Sequence, residues 1–340
     1  MSAAAGLSAG AIAGIDDFPV ALAWSADGRS LAVGGGEGRL CAISPQDGAI
    51  TELGEHAPGV LELAWQPKGQ LLASSGQDGS VRLWDRDATD APPRVLHRSP
   101  RWPAGLAWRS DGRTLAFASG KDVHLFDSGG APLRTLAGHA VPLSHVVWRG
   151  RDELLAAGNG ALFVDRADTG AMEQFLLEGA PQTLSLSPDL KIAACGLADG
   201  TINFRYINNR KRSRMSGYEG KVALTAWSAN SRYLASASTG ASSVVVWDFG
   251  GKGPEGSEPL QFNAHEERIE SLAWQGNGLL ATAGRDWRVV LWRPGPGSRQ
   301  AIDIQLLDGP AGMICWSPDG ARLAVAQPSG TIRLFSLRAR

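Results

Sequence analysis

The chain is poor in the residues that carry most enzyme chemistry. Its 340 residues include only three cysteines and six histidines. Cys41, Cys195 and Cys315 are odd in number, widely spaced, without a CxxC pair, and set among apolar residues. That pattern argues against a disulfide framework or a cysteine-held metal and describes buried free thiols in a reducing cytoplasm. An excess of either charge is missing too: 33 basic side chains face 34 acidic ones, a net charge of -1. No global field therefore draws the protein toward nucleic acid or an anionic membrane. No run of 18 apolar residues offers a membrane span, and "MSAAAGLSAGAIAGIDD" has no basic stretch of the kind that opens a signal peptide. No segment shows a helical period, and no HExxH helix occurs.

What is abundant is glycine, at 43 residues, and tryptophan, at 12. The tryptophans return in a phrase: "ALAWSADG" (21–28), "ELAWQPKG" (62–69), "GLAWRSDG" (105–112), "HVVWRGRD" (145–152), "TLSLSPDL" (183–190), "LTAWSANS" (224–231), "SLAWQGNG" (271–278) and "MICWSPDG" (313–320). Trp24, Trp65, Trp108, Trp148, Leu186, Trp227, Trp274 and Trp316 mark it at intervals of 38 to 47 residues, the period of a stacked or ring-closed repeat. Within a unit the period is two. "VLELAW", "LLASSG" and "SVRLWD" alternate and are joined by tight turns, giving three strands; segments such as "PPRVLH" (92–97) and "AIDIQLL" (301–307) supply a fourth.

Four-stranded units repeated in this way resemble the WD-repeat β-propeller family over nearly the whole chain. His56, Ser74, Asp78 and Trp84 stand where the family places its His, hydroxyl, Asp and Trp; His265, Thr282, Asp286 and Trp292 do the same. The resemblance implies a buried network in which hydroxyl, imidazole, carboxylate and indole bond one another. Other units depart: Phe117 stands in the hydroxyl's place, "LFVD", "NFRY" and "RLFS" lack the Trp, and the sixth unit has "VVVWD" without a preceding His. These are expected to lean on apolar packing.

The expected fold is all-β, a single propeller of eight four-stranded antiparallel blades, with seven as the alternative count. The repeat units fall at about 20–44, 60–85, 103–127, 143–165, 182–206, 222–248, 269–292 and 312–336, with 1–7 a flexible N-terminus and 8–340 the propeller. The last unit lacks a fourth strand, which "SAGAIAGI" (8–15) can supply, closing the ring and removing exposed edges.

Bland readings hold for most other motifs. His56, His97, His139 and His265 fall one per unit, too dispersed for a metal. "VGGGEGRL" (33–40) lacks the Gly-Lys-Ser/Thr ending and the helix of a phosphate loop. The basic run Arg210, Lys211, Arg212 and Arg214 reads as a charged edge strand, with contact to an acidic protein or RNA as the sharper alternative. In propellers of this family the loops between fourth and first strands and between second and third strands form the docking face. Carried over, they offer Phe18, Gln77, Trp102, Pro103, Lys121, Lys221, Arg268, Arg285 and Trp287. Trp102 and Trp287 lie outside the repeated Trp positions, and Trp and Arg dominate binding hot spots. The chain thus reads as a monomeric, non-catalytic scaffold for a protein or peptide, with no metal, cofactor or membrane. The alternative is a propeller enzyme or ligand-binding protein using the central channel, which needs acidic or His residues meeting at the axis.

Overall fold

The computed structural model describes residues 5–88, 91–251, 253–295 and 297–339. Among them there is no helix; the structure is all-β, with eight four-stranded antiparallel sheets, as the repeat predicts. The chain divides into two compact units, Asp16–Pro181 and Met1–Ile15 with Gln182–Arg340.

In the Asp16–Pro181 unit the first sheet is Pro19–Trp24, Leu31–Gly35, Arg39–Ile43 and Ile50–Glu55; the second is Val60–Trp65, Leu71–Gly76, Ser80–Asp85 and Arg94–Arg98. The third is Pro103–Trp108, Thr114–Ser119, Asp122–Asp127 and Pro132–Leu136; the fourth is Leu143–Arg149, Glu153–Gly158, Ala161–Arg166 and Met172–Leu176. In the other unit the fifth sheet is Pro181–Leu186, Ile192–Leu197, Ile202–Tyr206 and Arg212–Met215; the sixth is Val222–Trp227, Tyr233–Ser238, Ser243–Asp248 and Leu260–Asn263. The seventh is Ile269–Trp274, Leu280–Gly284, Arg288–Trp292 and Asp303–Leu306. The eighth is Met313–Trp316, Arg322–Ala326, Thr331–Ala339 and, from the other end of the sequence, Ala5–Gly14.

The N-terminal strand therefore fills the fourth place of the last sheet, but it starts earlier than expected. Residues 1–4 of the predicted flexible leader lie outside the described residues. Ala5, Gly6 and Leu7 are paired with Ala339, Arg338 and Leu337. The reason is burial: the Leu7 side chain enters the core shared by the seventh and eighth sheets, and its N–H donates to Asp303 Oδ2 at 2.6 Å.

Second strands are buried on both faces, as in Thr114–Ser119 and Tyr233–Ser238, because neighbouring sheets of the same unit pack on either side of them. Their small Ala and Ser residues fit that squeeze. Fourth strands, such as Pro132–Leu136, are largely exposed. The repeated tryptophans join successive sheets. In the Asp16–Pro181 unit, Nε1 of Trp65, Trp108 and Trp148 donates to the carbonyls of Ala23, Ala64 and Ala107 at 2.9, 3.0 and 2.9 Å. In the other unit, Trp274 and Trp316 donate to Ala226 and Ala273 at 2.9 and 3.2 Å. Each acceptor precedes the tryptophan of the preceding sheet, so the phrase bonds to its own previous copy, at about 1 kcal/mol per bond. Where Leu186 breaks the series, Trp227 Nε1 of the following sheet is buried without a hydrogen bond, and its ring packs on Phe249 at 4.6 Å.

The residue after the tryptophan, or after Leu186 in the fifth sheet, sets the turn. Ser25, Ser187, Ser228 and Ser317 donate to Asp27, Asp189, Asn230 and Asp319 while accepting the N–H that opens the second strand. Gln66 and Gln275 instead reach the turn of the next sheet, donating to Gly112 O at 2.7 Å and Gly320 O at 3.3 Å.

Candidate protein-docking site

In the second sheet His56 lies with Nδ1 3.0 Å from Asp78 Oδ1 and Nε2 2.7 Å from Ser74 Oγ, and Ser74 Oγ accepts Trp84 Nε1 at 2.7 Å. The seventh sheet repeats this with His265, Asp286, Thr282 and Trp292 at 3.0, 2.8 and 2.9 Å. One arrangement of protons satisfies each chain: Nδ1–H donates to the carboxylate, Nε2 accepts from the hydroxyl, and the hydroxyl oxygen accepts from the indole. A second ring proton would leave the hydroxyl without its acceptor, so the network wants a neutral imidazole. Burial pushes the same way, and both histidines titrate below their ordinary value despite the neighbouring Asp. Gly76 and Gly284 make room: a Cβ there would sit 2.3 Å from His56 Nδ1 and 2.9 Å from His265 Nδ1.

Two divergent units keep a polar network that the sequence reading gave up. In the sixth sheet Tyr218 takes the histidine's place, its Oη 2.6 Å from Ser236 Oγ and accepting Trp247 Nε1 at 2.8 Å. In the fourth, Ala156 replaces the hydroxyl, and Asp165 stands opposite Leu154 at the register position that Trp84 holds opposite Leu72. Asp165 Oδ2 lies 3.0 Å from His139 Nε2, and Lys121 O lies 2.8 Å from Nδ1. Both neighbours are acceptors, so only a doubly protonated ring satisfies both. Burial alone would lower the His139 value, but the Asp165 contact outweighs it and raises it. In the third sheet His97 packs on Phe117 and His124 at 5.4 and 4.6 Å, with Nε2 3.2 Å from Ser119 Oγ, and in the fifth and eighth sheets Phe204 and Phe335 are buried in apolar cores.

The networks fix the turns between second and third strands. Asp286, nearly buried, also accepts the N–H groups of Glu266 and Arg288. Arg285 N–H donates to Arg268 O at 3.0 Å, and the Trp287 carbonyl accepts Leu307 N–H at 2.8 Å. Arg268, Arg285 and Trp287 are thereby brought together, and with Glu270, Pro310 and Pro328 they line a cleft of about 540 Å³. Glu270, which the sequence reading missed, accepts Arg268 through both oxygens at 2.7 and 3.0 Å and Arg285 Nε at 2.6 Å. Burial pushes its carboxyl up, and the two guanidiniums more than reverse this, leaving it below the ordinary value.

The remaining loop candidates are placed as follows. Phe18 (48% exposed) lies over Gly36, and Trp102 is 60% exposed. Lys121 is exposed, with Nζ donating to Ala140 O at 2.8 Å; Lys221 is exposed and Gln77 half-buried. Pro103 is a correction. It opens the first strand of the third sheet opposite Ser119 and is buried, so it offers nothing to a partner; a first strand position suits a residue with no N–H to donate. The basic run leads into the fourth strand of the fifth sheet, which contains Arg212 and Arg214. There Lys211 pairs with Glu255 at 2.9 Å and lies over the Tyr206 ring, and Arg214 pairs with Asp199 at 2.9 Å.

Among the described residues no three His, Cys, Asp or Glu side chains are grouped to hold a metal ion. Cys41 and Cys195 are buried, which pushes both thiols up to about 12. Gly6–Gly10 spells GxSxG, a hydrolase nucleophile pattern, but lies inside a strand, where Ser8 Oγ bonds Ser336 O; the strand–turn–helix context of that chemistry is absent there.

The profile described as "WD domain, G-beta repeat" matches residues 49–85 and 256–293, the segments that contain the two complete His–Asp–hydroxyl–Trp networks. These two segments are WD repeats. Similar WD-repeat proteins include the F-box-like/WD repeat-containing protein TBL1X of Mus musculus, 26% identical over 37% of this chain and 24% of that protein. The SIR4-interacting protein SIF2 of Saccharomyces cerevisiae is 21% identical over 81% of this chain and 46% of its own length. Telomerase protein component 1 of Rattus norvegicus is 24% identical over 78% of this chain and 10% of its own. The chain thus spans less than half the length of each of these relatives.

Proposed function

We propose that this WD-repeat chain is a non-catalytic, monomeric cytoplasmic scaffold that docks a protein or peptide through the loops between fourth and first strands and between second and third strands. One observation carries the reading: Phe18, Trp102 and Trp287, all about half exposed or more, stand on these loops. Exposed aromatics rooted in a rigid framework are the usual anchors of an interface, because they bury large area at little cost in side-chain entropy. The name of the yeast relative, a SIR4-interacting protein, describes a protein partnership and supports the same class of role. Cys41 and Cys195, buried thiols outside any disulfide, support a reducing compartment.

The test is site-specific photo-crosslinking in the full chain. A benzophenone side chain at position 102 or 287 should give discrete partner adducts, and one on a fourth strand, at Leu133 or Leu176, should not. Adducts from the fourth-strand positions alone would overturn the reading.

A further inference from the structure

All eight turns between second and third strands contain a residue at positive φ. In seven it is glycine: Gly38, Gly79, Gly120, Gly160, Gly200, Gly240 and Gly330. In the seventh sheet it is Trp287, at φ 64°. The left-handed region costs an L-residue with a large side chain roughly 1–2 kcal/mol, and the other turns show that glycine does the job without that cost. The strain is therefore not needed for the turn itself. It holds an indole, 51% exposed, at the rim of the cleft.

Arg285, two residues away, is equally particular. Glu270 fixes its Nε, while neither Nη group makes a hydrogen bond among the described residues, and the side chain is 57% exposed. A guanidinium held by one edge with the other edge open suits bidentate capture of a carboxylate. Arg268, by contrast, has Nε and Nη2 committed to Glu270. With Glu267 also on the rim, the two arginines are matched by two carboxylates. That balance disfavours a polyanion and favours a single acidic group.

Resting on the loop-face reading above, we propose that the cleft binds a peptide segment in which one Asp or Glu adjoins a large apolar residue. The carboxylate takes the open edge of Arg285, and the apolar side chain lies between Trp287 and the rings of Pro310 and Pro328.

The test uses the full-length chain against arrayed octapeptides, each with a single Asp or Glu beside Leu, Met or Phe, and against matched Asn or Gln arrays. A subset of acidic peptides should bind, with at least tenfold weaker binding by their amide counterparts and by Arg285→Gln. Trp287→Gly should abolish binding while keeping or raising the thermal midpoint, so lost binding cannot be blamed on unfolding. No binding to any acidic peptide, equal binding to acid and amide arrays, or retained binding by Trp287→Gly overturns the proposal. So does preferential binding of a labelled single-stranded oligonucleotide in this cleft. Partner adducts at position 102 that persist in Trp287→Gly would sink this inference alone and leave the scaffold reading standing.

Discussion

The second and seventh sheets rest on the same four kinds of side chain at nearly the same distances, yet one closes its turn with Gly79 and the other with Trp287. In both, the carbonyl of that residue accepts the N–H of the residue past the fourth strand, Ser99 in one and Leu307 in the other. The second turn is closed from above: a Cβ on Gly79 would lie 1.7 Å from Ser99 O. The difference teaches that the His–Asp–hydroxyl–Trp network specifies the turn backbone, and that the residue riding on the turn is a separate choice.

Transplanting that choice should fail. Gly79→Ala combines roughly 1–2 kcal/mol of left-handed strain with a backbone shift costing about as much again. A loss of about 3 kcal/mol in urea unfolding is expected, and a loss under 1 kcal/mol would show that the second turn is as open as the seventh. Breaking the shared network comes next. Ser74→Ala or Thr282→Val strands a buried imidazole nitrogen and an indole N–H together, a cost of about 2 kcal/mol in either sheet; markedly unequal losses would mean that the two networks are not equivalent. Changing pH should set both networks against the fourth sheet. His56 and His265 titrate below 6.5 when folded, so their contribution is full above that pH and fades as pH falls below it. His139 titrates above 6.5, so its contribution is full below that pH and fades as pH rises. The stability gap between wild type and His265→Gln should therefore narrow on acidification, and that of His139→Gln on alkalinisation; parallel trends would refute the proton arrangement assigned to them. The smallest effect has the opposite sign: Trp287→Gly should stabilise the chain by about 1 kcal/mol, and a destabilised variant would show that the indole supports the turn after all.

Much of this was legible in the residues. The eight phrases, their spacing and the period-two alternation specify eight four-stranded sheets, and the missing last strand pointed to the N-terminus. Its start was misjudged because Ala5 and Leu7 look like leader residues until the core that receives them is assembled. His56 and His265 were found because sequence spacing matches spatial distance in those units. Tyr218 and Asp165 were missed because their bonds depend on reach: a longer phenol spans the histidine's gap, and a carboxylate at the tryptophan's register meets His139 directly. Glu270 was missed for a similar reason, since nothing in "RIESLAW" says that two arginines fold onto it. Pro103 was misplaced by one residue, the distance between a loop and a strand.

The eighth sheet also imposes an order in time. Ser8 and Ser336 bond across a separation of 328 residues, a contact as non-local as this chain contains among its described side-chain bonds. During synthesis the segment Ala5–Gly14 emerges long before its partner Thr331–Ala339, so seven sheets can form while the eighth cannot. The entropy of closing so long a loop grows only logarithmically with its length, but the search is slow. Until it ends, the third strand of the eighth sheet has an open edge, the kind of edge to which a second chain can pair.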